Sequence, residues 1–134
     1  MTALSANRVT RCREGKTFDF KVGANKHIYA GSLVQIVTAT GLAEAADAIA
    51  AGVFAGVALA EVDNNPGSAG AKSCRVSRKG THLFLKDTPV QTDVGKECYS
   101  VDDQTVAITG TTKVGKIVGL EGSTQVWVAI DNYC

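Results

Sequence analysis

The sequence has little of what catalytic or membrane-spanning proteins usually show. Its 134 residues include two histidines, one tryptophan, one methionine and two prolines, and aromatic residues make up only 6%. No run approaches the roughly 20 consecutive apolar residues that a bilayer-spanning helix needs. The first residues, MTALSANRVTRCREGK, lack the apolar middle of a signal peptide, so we expect synthesis in the cytoplasm and no membrane partner.

An excess of charge of one sign is also missing. Lys and Arg number 14 against 13 for Asp and Glu, which gives a formal net charge of +1. A protein that binds nucleic acid along its phosphates needs a clear positive excess, so we expect no direct nucleic-acid partner. The charges are nevertheless segregated along the chain. One basic cluster, Arg8, Arg11, Arg13 and Lys16, lies at the start of the chain. A second basic stretch without acidic residues contains Lys72, Arg75, Arg78, Lys79 and Lys86, and the section after it is mainly acidic, with Asp87, Asp93, Glu97, Asp102 and Asp103.

This segregation has two interpretations. The simpler one is a solvated surface with alternating patches, and the other is complementary docking between subunits. On the second interpretation the basic residues bind a partner. The candidate partner-binding residues are Arg8, Arg11, Arg13, Lys16, Arg75, Arg78 and Lys79.

The apolar residues are mostly small. They make up 45% of the chain, and Ala and Val outnumber the larger side chains. Because each of these small residues buries less apolar surface than Phe or Leu, a single copy gains modest stability from its core. Association with further copies or with a partner is therefore favoured.

Short segments with period-two alternation or β-branched runs fill the chain after residue 15. Several are separated by turn sequences at intervals of roughly ten residues, which is typical of a sandwich or barrel. We therefore predict an all-β, single-domain antiparallel sandwich or barrel, jelly-roll-like, over 16–134, with an extended N-terminal arm over 1–15. The predicted strands lie in 16–22, 28–38, 53–62, 72–79, 81–86, 97–101, 105–109, 112–120 and 124–130.

Two segments leave alternatives open. Residues 42–50, LAEAADAIA, show helical spacing, but the segment is short and has no convincing N-cap, and the surrounding pattern favours extended structure. Residues 72–86 alternate on both sides of Gly80, which fits a hairpin or a kinked long strand.

The four cysteines predict no metal site. Cys12, Cys74, Cys98 and Cys134 have no C-x-x-C spacing, and His27 and His82 are the only histidines that could join them. In a reducing cytoplasm we expect free thiols. The alternation places Cys74 and Cys98 in the core and leaves the other two near the chain ends.

Catalytic constellations are equally scarce. Cys98 with His82 could form a thiolate pair, and Ser77 with His82 and an aspartate could imitate a hydrolase triad. Neither pair stands in a G-x-S-x-G, H-E-x-x-H or glycine-rich phosphate motif. We therefore expect no enzyme activity and no cofactor.

Two further sequence features give weak signals for ligand binding. Asp102 and Asp103 suggest a calcium turn, but no further oxygen ligands follow at loop spacing. Lys113 and Lys116 with Trp127 suggest a surface for single-stranded nucleic acid, which would need more aromatic residues. The simpler interpretation makes Trp127 a strand anchor at the rim of the core.

Three segments carry a resemblance to a known family. GVALAEVDNNPGSAGAKSCRVSRKGTHLFL, TDVGKECYSVDDQTV and KVGKIVGLEGSTQVWVAI resemble the cement or decoration proteins of tailed-bacteriophage capsids. The shared features are a G-V-A strand, a D-N-x-x-G loop, an R-x-G corner, a D-V-G-K turn and closing V-G and V-x-V-x-I strands. The likeness spans roughly residues 16–131. The chain departs from it in Glu97-Cys98 before Tyr99 and in a longer basic arm.

The resemblance implies a structural protein of the virion. Such a protein forms homodimers or homotrimers on the outer capsid surface, over junctions between major capsid protein subunits. The alternatives are a head–tail or tail component of a phage, and, from another class, a small β-fold hydrolase or ligand-binding domain. The last would need a concave pocket with converging polar groups.

Overall fold

A computed structural model describes residues 2–9, 11, 16–47 and 52–130. Within these ranges strands account for 48% of the residues and helix for 2%. Almost all strand pairs are antiparallel. The predicted all-β class is therefore confirmed.

The first half of the chain forms what we call the N-terminal sheet. Its order is β1-β7-β5-β3-β4, and the short strands β2 and β6 pair separately. Past the end of β1, Val22 forms a parallel bridge with Ala43, the first residue of β4, so the sheet curves until its edge strands meet at one point. The strands are β1 (Thr17–Lys21), β2 (His27–Ile28), β3 (Leu33–Val37), β4 (Ala43–Ala45), β5 (Gly52–Ala58), β6 (Val62–Asp63) and β7 (Ser73–Ser77).

The alternation of side chains along each strand determines which of them pack on the concave inner face of this sheet. Phe18, Phe20 and Val22 share one side of the chain around β1, and Cys74 and Val76 face them from β7, as the sequence predicts. The β2–β6 pair covers one end of this inner face. The cluster of buried residues contains Val22, Ile28, Val34, Ala43, Ala55, Ala58, Cys74 and Val76.

The second half forms the C-terminal barrel, which is closed in the order β10-β8-β12-β11-β9. Closure depends on a parallel pair, β8 with β10, whose register is Thr105 with Leu85 and Val106 with Lys86. A 3₁₀ turn at Gln91–Asp93 lies between β8 and β9. The strands are β8 (Thr81–Lys86), β9 (Glu97–Ser100), β10 (Thr105–Ala107), β11 (Lys113–Glu121) and β12 (Gln125–Ala129).

The outer face of the N-terminal sheet and the barrel share a second core. Leu33, Phe54 and Val57 belong to the outer face of the N-terminal sheet, yet they cluster with the buried side chains of the barrel. Two hydrogen bonds join the halves: the Leu33 N–H donates to the Asp103 carbonyl at 2.8 Å, and the Thr112 hydroxyl donates to the Gly52 carbonyl at 3.3 Å. The two halves therefore support each other.

The structure resolves both ambiguous segments in part. Ala43–Ala45 is a strand, which confirms extended structure there, whereas residues 48–50 lie outside the described residues. A hairpin over 72–86 is wrong, because β7 belongs to the sheet and β8 to the barrel. The chain crosses between them near Gly80, whose φ of 104° lies in the region that favours glycine.

Two predicted strands are broken. The run 28–38 divides at a turn between β2 and β3, where Gly31 has a φ of 83° and the Ser32 hydroxyl donates to the Tyr29 carbonyl at 2.7 Å. The run 53–62 divides between β5 and β6. A turn inside each apolar run thus lets β2 and β6 leave the sheet and cover its inner face.

Candidate partner-binding surface

The pairing of β1 with β7 unites two basic segments that are far apart in sequence. Thr17 pairs with Ser77, and the Arg78 N–H donates to the Lys16 carbonyl at 2.9 Å. Lys79 follows directly and is exposed. We call Lys16, Arg78 and Lys79 the basic corner. Three of the seven predicted binding residues therefore lie together.

An apolar groove opens beside this corner. Its cavity volume is about 310 Å³, and Val53 on its wall is 56% exposed. The Arg78 guanidinium lies 4.9 Å from the centroid of the Phe18 ring, a favourable cation–π arrangement at the groove rim. The groove combines apolar walls with a cation. Its lining residues are Phe20, Ile36, Val37, Thr38, Gly41, Val53, Phe54, Ala55 and Arg78.

Arg75 lies apart from the groove. Cys74 and Val76 point to the inner face, so Arg75 points to the outer face of β7, directly across from Asp19 on β1. Its Nε and Nη2 donate to the two carboxylate oxygens of Asp19 at 3.0 and 3.2 Å, and this hydrogen bonding raises the pKa of Arg75. The sequence grouped Arg75 with Arg78, but strand alternation separates them.

The arm supplies the remaining candidates. Residues 2–9 and 11 are exposed and carry no strand or helix, and Arg8 and Arg11 make no ion pair with the described part of the chain. Arg13 lies outside the described residues. Leu4 and Val9 are 72% and 96% exposed, so the arm offers apolar side chains as well as cations.

The opposite end of β3 carries acidic groups. A cavity of about 380 Å³ there is lined by Tyr29, Asp103 and neighbouring residues. Tyr29 is 58% exposed and its ring lies 4.2 Å from the ring of His27, whose Nε2 contacts the Glu61 carboxylate at 2.6 Å. Leu59 and Val101 are exposed beside this cavity: Leu59 follows Ala58, whose backbone hydrogen-bonds to Gly31 and Ser32, and Val101 lies two residues before Asp103. We call Tyr29, Leu59, Glu61, Val101, Asp102 and Asp103 the acidic end.

Sequence reasoning missed the acidic end as a site. The adjacent aspartates were visible, and their turn is ordered by a hydrogen bond from the Gln104 N–H to the Asp102 carboxylate at 2.9 Å. Tyr29 and Glu61 come from distant segments, however, and only the folded sheet brings them to the same end.

The catalytic candidates Ser77, His82 and Cys98 have surroundings that do not suit catalysis. The Ser77 hydroxyl and His82 Nε2 both contact the Lys79 carbonyl, at 3.1 and 3.2 Å. Cys98 is fully buried, and burial raises the pKa of its thiol to about 11. Since a nucleophilic cysteine needs a lowered thiol pKa, the Cys98 environment opposes thiolate chemistry.

The residues weighed for single-stranded nucleic acid are close to carboxylates. The Trp127 indole N–H donates to Glu121 at 3.1 Å, and the Lys113 ammonium donates to Glu97 at 2.8 Å. The Lys113 ammonium also lowers the pKa of Glu97. Carboxylates beside the aromatic ring and the cation weaken any attraction for phosphates at this surface.

The cysteines contribute no visible ligand set. Cys74 and Cys98 are buried free thiols in different cores, and Cys12 and Cys134 lie outside the described residues. Within the described ranges no three His, Cys, Asp or Glu side chains gather closely enough to hold a metal ion. The same ranges contain no helix with the length and hydropathy needed to cross a membrane.

No family model, no curated protein and no solved structure matches this chain. The groove, the basic corner, the arm and the acidic end are the surfaces that combine exposed apolar side chains with charged ones in the described part of the chain.

Proposed function

We propose that this protein is a non-enzymatic capsid cement or decoration protein, which binds the outer surface of a phage head and bridges major capsid protein subunits. The observation that carries the proposal is the apolar groove beside the basic corner. Exposed apolar surface rimmed by polar groups is characteristic of protein–protein contact sites. Arg is enriched at such contacts.

The motifs shared with decoration proteins support a structural role, because their residues hold turns. In the D-N-x-x-G loop, the Asn64 amide donates to the carbonyls of Gly23 and Ser68, both at 3.0 Å. The Asn64 side chain fills the space that a Cβ on Gly67 would need. This motif therefore builds the loop and offers no reactive group.

The D-V-G-K turn has a similar role. The Asp93 carboxylate accepts from the Val90 N–H and from the Lys86 ammonium, both at 3.0 Å. Gly95 has a φ of 92°, and its N–H donates to the Ile117 carbonyl at 2.7 Å. These contacts close one end of the barrel.

The arm suits attachment to a repetitive lattice. An exposed ion pair of Arg8 or Arg11 with a capsid carboxylate contributes only about 0.2–1 kcal/mol. Linked contacts on a symmetric shell gain avidity, so many weak contacts can determine occupancy. The exposed Leu4 and Val9 can add apolar contacts to the same attachment.

Binding to capsids that lack the decoration protein tests the proposal by co-sedimentation. Deletion of residues 2–13 should leave the melting temperature and circular dichroism nearly unchanged while weakening binding at least about tenfold. The matched control Arg8→Lys with Arg11→Lys keeps the charges and should bind nearly as the parent. Full-strength binding by both the deletion and Val53→Asp, a groove variant, would refute the proposal.

Electron microscopy of virions distinguishes the related structural role. A decoration protein should give density over the whole outer shell, above junctions between major capsid protein subunits. Density confined to a ring at the portal or to the tail would instead support a head–tail or tail component. Absence of the chain from virions would contradict both.

A further inference from the structure

The groove and the acidic end lie at opposite ends of one strand. At the start of β3, the Leu33 N–H donates to Asp103 in the acidic end at 2.8 Å. At its end, Val37 and Thr38 line the groove. Four residue steps at about 3.3 Å separate these ends by roughly 13 Å along a paired strand. One copy therefore cannot bring its own two surfaces together.

The two surfaces are complementary in charge and similar in apolar character. The acidic end combines three carboxylates with exposed Tyr29, Leu59 and Val101. The groove combines the basic corner with Phe20, Ile36 and the 56% exposed Val53. A net charge of +1 produces little long-range repulsion between copies.

We propose that the acidic end of one copy docks onto the apolar groove and basic corner of a second copy. The exposed Val101 and Leu59 would bury apolar surface against Val53 while carboxylates face the basic corner. In such an assembly a neighbouring copy fills the groove and the arm remains available to contact a capsid, so this inference does not depend on a role in capsids.

A contact between two different surfaces can close in two ways. When two copies share a single such contact, it is heterologous and continues from copy to copy until a ring closes, and the smallest such ring has three copies. When two copies make the contact reciprocally, the result is a two-fold dimer. The contact is therefore compatible with both oligomers implied by the resemblance, the homodimer and the homotrimer.

Sedimentation velocity on the full chain, from about 1 µM to about 1 mM, tests the contact. The wild-type average mass should rise from the 13.9 kDa monomer towards two or more copies. Val53→Asp and Arg78→Glu alter the groove, and Glu61→Lys with Asp103→Lys alters the acidic end. Each should weaken association at least about tenfold, because like charges then face each other.

A charge-reversal control lies on the barrel. Lys116→Glu reverses one positive charge, as Arg78→Glu does, but on an exposed position of β11 opposite Glu97, outside the groove and the acidic end. It should associate as the wild type does. Circular dichroism of every variant shows whether weaker association reflects lost docking or lost folding. If Arg78→Glu unfolds the chain because it removes the Arg78–Phe18 contact, Val53→Asp still tests the groove.

A mixture of two variants, each defective in a different surface, tests whether the contact joins the groove to the acidic end or joins two copies of the same surface. Val53→Asp retains a working acidic end, and Glu61→Lys with Asp103→Lys retains a working groove. Their equimolar mixture should form a heterodimer of twice the monomer mass and nothing larger. A wild type that stays monomeric, variants that associate as the wild type does, or a mixture without heterodimer would each overturn the proposal.

Discussion

The two halves of the molecule use the same kind of strand for different purposes. The C-terminal barrel is closed, and its inward side chains Ile117, Val126 and Val128 have no solvent exposure. Among the described residues the edge strands of the N-terminal sheet meet at the Val22–Ala43 bridge, and Ile36, which lines the groove, remains partly exposed. Closure makes the barrel a source of stability, whereas incomplete closure leaves the sheet with an open apolar groove.

Matched truncations in the two halves test this comparison most strongly. Ile117→Ala empties space in a fully buried core and should lower the free energy of unfolding by about 4 kcal/mol. Ile36→Ala removes the same atoms from a partly exposed site and should cost about 2 kcal/mol or less. Urea denaturation followed by circular dichroism measures both values.

A conservative control calibrates the comparison. Ile117→Val removes one methylene and should cost about 1 kcal/mol. If Ile36→Ala proves as costly as Ile117→Ala, the sheet is as tightly packed as the barrel and the distinction between the halves fails.

The next effect concerns the ion pair at the end of the barrel. The Lys86 and Asp93 side chains lie 3.0 Å apart and are 9% and 3% exposed. The Val90 N–H, and after it Lys86, hold the pKa of Asp93 below its ordinary value. The ionised carboxylate therefore stabilises the fold at neutral pH, and this contribution is lost as the pH falls through the lowered pKa.

Melting temperatures between pH 7 and pH 2 measure that contribution. Asp93→Asn should melt roughly 10 °C lower than the wild type at pH 7, because it leaves Lys86 buried without a charge partner. The difference should shrink below about pH 4. Glu97→Gln is the control: the pKa of Glu97 is also lowered, but its exposed pair with Lys113 should contribute little. A constant difference at all pH values would contradict the assignment.

The smallest expected effect is a difference between the alkylation rates of two buried cysteines. Cys74 in the sheet and Cys98 in the barrel are both fully buried, so each reacts with an alkylating reagent only when its surroundings open. In a Cys12→Ser, Cys134→Ser background, Cys74 should be alkylated at least about tenfold faster than Cys98, as read by mass spectrometry of peptides. Equal rates would show that sheet and barrel open as one unit.

Periodicity predicted the parts of the fold that depend on local sequence. The alternation at Phe18 and Phe20, at Cys74 and Val76, and along β12 identifies which side chains are buried. The turn at Gly31 was missed because the surrounding residues form a continuous β-branched and aliphatic run. Hydrophobicity alone does not reveal where such a run leaves one sheet.

The features that the sequence did not predict depend on pairing between strands that are far apart in the chain. The parallel contact of β8 with β10 closes the barrel through two residue pairs and has no local signal. Likewise, Lys16 joins Arg78 only because β1 and β7 pair in one particular register, whereas Arg75 is directed away. The sequence therefore identified candidate cations but could not say which of them share a surface.

The single crossing near Gly80 has a consequence for synthesis on the ribosome. All strands of the N-terminal sheet precede this point in the chain, and all strands of the barrel follow it. The sheet can therefore emerge and pair before the barrel exists, with Leu33, Phe54 and Val57 still uncovered. Until the later strands leave the exit tunnel, this apolar face stays exposed to solvent, which is the condition under which nascent chains aggregate.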